Sequence, residues 1–293
     1  MLDLWILLTL LAAGMQAWRN ALQKQLSRHV SIAGVTLARF FWAWPLSVLY
    51  VFMLYRIRPA PWPDLSLAFM ATIAAAALGQ IAATALMVML FRQRNYAAGV
   101  GLAKSEALLA ALLGVLVFGA TISPLGWCGI LIGAVALWLM RGATPDDTAL
   151  RPLMIGLASG LCFALTSLWV RHATQLQPAL PFLHAAGWVL TLTIGMQWLT
   201  LVGWLAWRDR PALVLLWQRP RDSARVSLTS LGASLGWFTA MSLQDVALVK
   251  TLGQVEVLFT LLIARCWFRE PITRRDRLGL VLIVIGALCV MWP

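Results

Sequence analysis

Ala97-Ala98-Gly99-Val100-Gly101-Leu102-Ala103-Lys104-Ser105-Glu106-Ala107-Leu108 runs through the first half of the chain. Its counterpart in the second half is Ala247-Leu248-Val249-Lys250-Thr251-Leu252-Gly253-Gln254-Val255-Glu256-Val257-Leu258. A constant shift of 150 residues lays Ala97, Leu102, Glu106 and Leu108 on Ala247, Leu252, Glu256 and Leu258. The same shift carries Gly129 onto Gly279. Each stretch is a long apolar run that nevertheless carries one carboxylate near its middle. A repeated, costly feature of this kind points to two copies of one structural unit, with the carboxylates retained for a purpose.

The surroundings of these stretches fix the fold class. Apolar residues make up 61% of the chain and charged residues 12%, against about 45–50% and 25% in ordinary globular proteins. So few charges cannot cover the surface of a soluble protein, and the chain must meet lipid along much of its length. A disordered chain, a secreted disulfide scaffold and a cytosolic enzyme are excluded together. Cys128, Cys162, Cys266 and Cys289 all lie in apolar runs without metal-ligand or CxxC spacing, which makes them packing residues.

A ruler of about 20 helical residues per crossing gives ten expected spans: 3–23, 32–55, 65–90, 96–119, 121–140, 152–172, 180–206, 224–243, 246–267 and 276–292. The first lacks a basic leader and a small-residue cleavage site, so it reads as a retained helix. Pro59, Pro61 and Pro63 end the second span, Pro124 follows the fourth, and Arg208 to Asp222 is the longest polar connector. Gly142 to Asp147 separates the halves. The expected architecture is therefore an all-α polytopic membrane protein of ten transmembrane helices, as two five-helix repeats covering residues 1–145 and 146–293. Five being odd, the second copy enters the membrane inverted, the arrangement many secondary transporters use for alternating access.

The net charge of +12 belongs to loops rather than to a nucleic-acid surface. On alternating loops, one side holds sixteen basic residues: Lys24, Arg28, Arg92, Arg94, Arg141, Arg151, five from Arg208 to Arg225 and five from Arg265 to Arg277. The other holds three, Arg56, Arg58 and Arg171. The positive-inside rule puts the sixteen in the cytoplasm and both termini outside, in a bacterial-type inner (plasma) membrane. Arg19, Arg39, Lys104 and Lys250 fall within or at the edge of spans and need another explanation.

Several stretches resemble the drug/metabolite transporter superfamily in its EamA branch. Val35-Thr36-Leu37-Ala38-Arg39-Phe40-Phe41 is similar to that family's second span. Trp267-Phe268-Arg269-Glu270-Pro271-Ile272, with Gly279 and Gly286, is similar to its closing signature. The resemblance implies ten spans and transport of small organic molecules. Two departures stand out. Glu106 and Glu256 occupy positions where many members carry proline, and Gly119-Ala120-Thr121-Ile122-Ser123-Pro124 lacks the glutamate of the corresponding loop. The family's termini are expected in the cytoplasm, against the charge bias of this chain.

Ionisable groups inside spans cost about 2.5–3.5 kcal/mol each on insertion scales, so they usually face a cavity or a partner. Carboxyl groups away from water favour the protonated form, and Glu106 and Glu256 at matching depths suit proton-coupled exchange. Lys104 lies about 200° around the helix from Glu106. The inverted repeat instead suggests crossed pairs, Glu106 with Lys250 and Glu256 with Lys104. Arg39 and His184, related at nearly the same offset, are expected pathway or gate residues. Gln80 and Gln254 are expected to line the pathway, and Trp42 and Trp237 to stack on a ligand or cation. Gln16, Asn20, Thr84 and Gln197 are further polar residues at membrane depth, and each of them, like Gln80 and Gln254, is a candidate either to line the pathway or to hydrogen-bond helix to helix. Most of the 16 tryptophans fit interfacial belts.

These residues point to a secondary transporter of a small organic metabolite (amino acid-like, an amine or drug-like), coupled to protons, with export as one direction. A lipid flippase is the alternative, and a membrane-embedded enzyme finds no nucleophile, base or metal constellation among three scattered histidines. The expected partners are the substrate, protons and the lipid bilayer, in a monomer or weak homodimer. No nucleic acid, metal or cofactor is expected, and no GxxxxGK[ST] nucleotide motif occurs.

Overall fold

The computed structural model describes residues 3–106, 108–109, 112–113, 123–140 and 150–291. The expected boundary at Gly142–Asp147, Arg141, most of the fourth span beyond Glu106, and Gly119 to Ile122 lie outside the described residues. Among the described residues there are helices and connections, and no strand.

The helices in chain order are α1 (Leu4–Leu26), α2 (Ile32–Ala38), α3 (Ala43–Ile57), α4 (Leu67–Gln93) and α5 (Tyr96–Ala103). Then come α6 (Pro124–Met140), α7 (Leu150–Gln175), α8 (Phe182–Arg208), α9 (Arg210–Gln218) and α10 (Pro220–Leu243). Last are α11 (Val246–Leu252), a 3₁₀ turn Gly253–Val255, α12 (Glu256–Cys266) and α13 (Arg274–Met291). Four helical segments are long and apolar enough to cross a membrane: Ile32–Ile57, Leu67–Gln93, Leu150–Gln175 and Phe182–Arg208. At 1.5 Å per residue, the 27 residues of α4 reach roughly 40 Å, beyond a hydrocarbon core of about 30 Å. Serine hydroxyls cap two of these segments: Ser31 accepts from the Gly34 N–H and Ser66 from the Phe69 N–H.

Side chains are distributed in reverse of a soluble protein. Ile57, Leu67, Leu131 and Trp207 stand exposed on the outer surface, while Arg19, Asn20, Gln23, Gln197 and Glu256 are buried. Lipid satisfies the apolar exterior, and polar groups turn inward to find one another.

Three helix pairs dominate the packing: α1 with α10, α4 with α7, and α6 with α13. The last pair depends on glycine. A Cβ on Gly129 would stand 2.5 Å from the Gly286 carbonyl oxygen, and one on Gly286 would stand 2.7 Å from that of Gly129. The two backbones therefore touch where only glycine fits.

Three expected spans are interrupted. The second breaks over residues 39–42, between α2 and α3. The Ser227 hydroxyl on α10 repairs this break, accepting from the Trp42 N–H at 3.0 Å and donating to the Ala38 carbonyl at 2.6 Å. The fourth span turns at Lys104–Ser105, just before Glu106, and the ninth passes through the 3₁₀ turn just before Glu256. By sequence these spans are expected to be continuous, because apolar periodicity carries no sign of a broken hydrogen-bond ladder. The connector at Arg208–Asp222 is likewise not a plain loop. It folds as amphipathic α9, capped by Asp209, with Ala212 and Leu216 turned inward and Val214 and Trp217 outward.

The two ends of the bundle gather different loops. At one end Lys24 pairs with Glu270 at 2.7 Å, Arg92 donates to the Ser27 and Val30 carbonyls, and Arg94 donates to the Met140 carbonyl. At the other, Gln177 bonds the Asp64 backbone, the His184 ring lies against the Arg58 carbonyl, and Arg171 pairs with Asp245.

Candidate functional site

The interrupted helices converge on a central cavity of about 40 Å³. Its walls come from α1, α4, α5, α7, α10, α11 and the start of α12, together with the broken second span. Glycines let these backbones close in. Gly160 of α7 abuts Ser105 and the Glu106 backbone, and the indole of Trp237 lies over Gly253, where any Cβ would overlap the ring.

Two ion pairs cross between the halves of the chain. Lys104 Nζ lies 2.5 Å from Glu256 Oε2, and Lys250 Nζ lies 2.7 Å from Glu106 Oε1. Lys104 does not reach Glu106 on its own helix, in keeping with their angular separation.

The Glu256 carboxylate, 0% exposed, accepts three donors. Lys104 and the Gln16 amide (2.6 Å) share Oε2, and Asn20 donates to Oε1 at 3.0 Å. Asn20 Oδ1 accepts in turn from Arg19 Nε and Nη2, at 3.2 and 2.7 Å. Gln16 Oε1 accepts from the Trp237 indole N–H at 2.8 Å, and the Lys250 ammonium sits 4.7 Å from the centre of that indole. Glu106 has the Ser167 hydroxyl as a second donor at 3.1 Å. The two pairs are thus joined through Gln16 and Trp237 into one buried network. Buried networks of this kind fix the positions of their members, and a group left without a partner in one is costly.

Arg39 reaches the same cavity from the break in the second span. Its Nε donates to the Ser230 hydroxyl at 3.0 Å and its Nη1 to the Thr84 hydroxyl at 2.7 Å. Both partners are neutral. Arg19 Nη1 is buried and makes no hydrogen bond among the described residues.

Of the residues singled out in the sequence, Glu106, Glu256, Lys104, Lys250, Arg39, Gln80 and Trp237 all border this cavity. Three do not. His184 sits at one end of the bundle, with its Nε2 2.8 Å from the Arg58 carbonyl oxygen and its ring edge-on to Tyr55. Its offset from Arg39 therefore does not translate into an equivalent position, because α8 runs unbroken where the second span bends inward. Trp42 donates to Ser223 and stacks on Trp217 of α9, at the rim of the bundle. Gln254 folds back toward the Lys250 carbonyl within its own turn.

Gln16 and Asn20, named among the polar residues at membrane depth, also line the cavity, and Arg19 and Ser167 join them. The signal for Arg19 was present in the sequence as a charge inside an apolar helix. Ser167 and Ser230 gave none, since serines also serve helix-to-helix contacts.

Residues 150–292 match the EamA-like transporter family. No curated protein matches the chain. One solved crystal structure, 15% identical, covers 97% of this chain and 96% of its own, with a TM-score of 0.60. At that identity the likeness concerns the fold.

Proposed function

We infer, from the EamA-like match of residues 150–292, that the whole chain is a transporter of the drug/metabolite type, built as repeats 1–145 and 146–293 in inverted orientation with ten crossings. A membrane transporter rather than an enzyme is what the family match supports. Helix pairing favours two equivalent five-span units, and an odd number of spans inverts the second against the first. Exchanging the first five spans with the last five maps the α1–α10 contact onto the α4–α7 contact and returns the α6–α13 contact to itself.

The chain carries a small organic metabolite by alternating access, coupled to protons, across an inner membrane with both termini outside. The crossed ion pairs at the helix breaks carry this reading. Lys104–Glu256 and Lys250–Glu106 tie the two halves together across the cavity. A proton on either glutamate removes the charge that holds its lysine, loosening one half against the other. Discontinuous helices at such a site are a recurrent device of secondary transporters. The cavity of about 40 Å³ holds a few waters, whereas metabolite sites occupy about 300–1,000 Å³. This is a contracted state, and loading requires the halves to part. Lys24–Glu270, reinforced by the Tyr96 N–H donating to Glu270 at 2.6 Å, ties one end shut.

The test is a reconstituted liposome assay recording proton flux while amines, amino acids and nucleosides are added. Glu106→Gln and Glu256→Gln should each flatten the pH dependence of transport. Wild-type pH dependence in both variants refutes the coupling.

A further inference from the structure

Four cationic side chains border the cavity, Arg19, Arg39, Lys104 and Lys250, and two carboxylates, Glu106 and Glu256. Each lysine is matched by one glutamate. The sum over each pair is zero wherever its proton resides, so the pairs cancel in any protonation state that keeps one proton between the partners. The two arginines do not cancel. Arg39 is held by two hydroxyls and Arg19 by an asparagine oxygen, and among the described residues no further carboxylate lines the cavity. Arginine keeps its charge throughout the physiological range. The site therefore holds two surplus positive charges away from water. In addition, Arg19 lines that cavity, and its buried Nη1 has no acceptor among the described residues.

We propose that the transported solute is an organic anion, its oxyanion group bound by Arg19 and Arg39. This rests on the transporter reading above and narrows its substrate class. A guanidinium fork matches two oxygens of a carboxylate or phosphate. Such a group supplies the acceptor that Arg19 Nη1 lacks and offsets the surplus charge. A zwitterion would bring a compensating ammonium and leave that surplus in place. A cationic amine would add to it. The cavity must widen for entry, since its present volume admits only water.

The experiment compares matched solutes on the purified full chain, by protection against thermal unfolding and by uptake into proteoliposomes. Succinate and glycerol 3-phosphate are the anionic probes, succinamide and glycerol their neutral counterparts, and 1,4-diaminobutane the cation. The expected result is protection and uptake by an anion, with the neutral and cationic probes silent. Carboxylate or phosphate preference identifies which oxyanion the site takes. Arg19→Gln should weaken the preferred anion at least tenfold (~1.4 kcal/mol), and Arg19→Lys should weaken it less. The wild-type comparison needs no variant, so a poorly folding Arg19→Gln leaves the test intact. Amines or amides acting as well as the anions overturn the proposal. Proton-coupled transport of amines or nucleosides with both anions inert overturns it while the transporter reading stands. Absence of both protection and uptake with every solute overturns both.

Discussion

Replacing Glu256 by glutamine removes one charge from the most enclosed carboxylate among the described residues while nearly conserving volume. Glu256 is 0% exposed and accepts from Lys104 at 2.5 Å, Gln16 at 2.6 Å and Asn20 at 3.0 Å. Glu256→Gln leaves the Lys104 ammonium without a counter-charge and raises the cavity's surplus from two positive charges to three. Breaking one side of a buried pair costs about 3–5 kcal/mol. Lys104→Met should sit at the lower end of that range, because Gln16 and Asn20 still donate to the carboxylate and the surplus falls to one. The double variant Lys104→Met/Glu256→Gln restores the surplus to two. It should therefore lose less than the two single variants together, by about 1.5–3 kcal/mol. Thermal unfolding of the detergent-solubilised chain reads this directly, at about 2–4 °C per kcal/mol for chains approaching this size. Asp245→Asn provides the control. Its partner Arg171 and its own carboxylate are 23% and 74% exposed, so the change should stay within about 1 kcal/mol. Additivity of the Lys104 and Glu256 variants within about 0.5 kcal/mol refutes the claim that the pair acts as a unit.

Two further outcomes follow from packing and position. Gly286→Ala drives a methyl group to 2.7 Å from the Gly129 carbonyl oxygen and should destabilise the α6–α13 contact by about 1–3 kcal/mol. Gly203→Ala meets nothing within 4 Å and should not lower the melting temperature; equal losses in the two variants would sink the close-contact argument. His184→Asn should cost about 1 kcal/mol through the Arg58 carbonyl contact and leave the pH profile of transport unchanged. A shifted profile would return His184 to the pathway.

The charges that make the site were visible in the chain as exceptions. A glutamate, lysine or arginine in an apolar run is costly enough to announce itself. Glutamine, serine and tryptophan were harder to assign, because the same residue types line cavities, join helices and anchor interfaces. Trp42 and Trp237 show the difficulty: both lie deep in expected spans, yet one packs on α9 and the other bridges Gln16 and Lys250.

Membrane residence, an all-helical chain, the repeat offset and the six interior charges are determined by sequence, because each is a matter of composition or spacing. The crossed pairing of Glu106 with Lys250 and of Glu256 with Lys104 followed from the inverted offset, whereas the neutral partners Gln16, Asn20, Ser167, Ser230 and Thr84 were decided by tertiary structure. A lipid-facing helix is apolar on its protein side and on its lipid side alike, so periodicity does not fix which face turns inward. The helix breaks at residues 39–42, Lys104–Ser105 and Gly253–Val255 were equally hidden, since groups from elsewhere in the fold make them tolerable. Ser227 satisfies the first break, and close packing of Gly160 and Trp237 holds the other two. Those contacts bring Arg19 and Arg39 to the crossed pairs and turn six separate charges into one site.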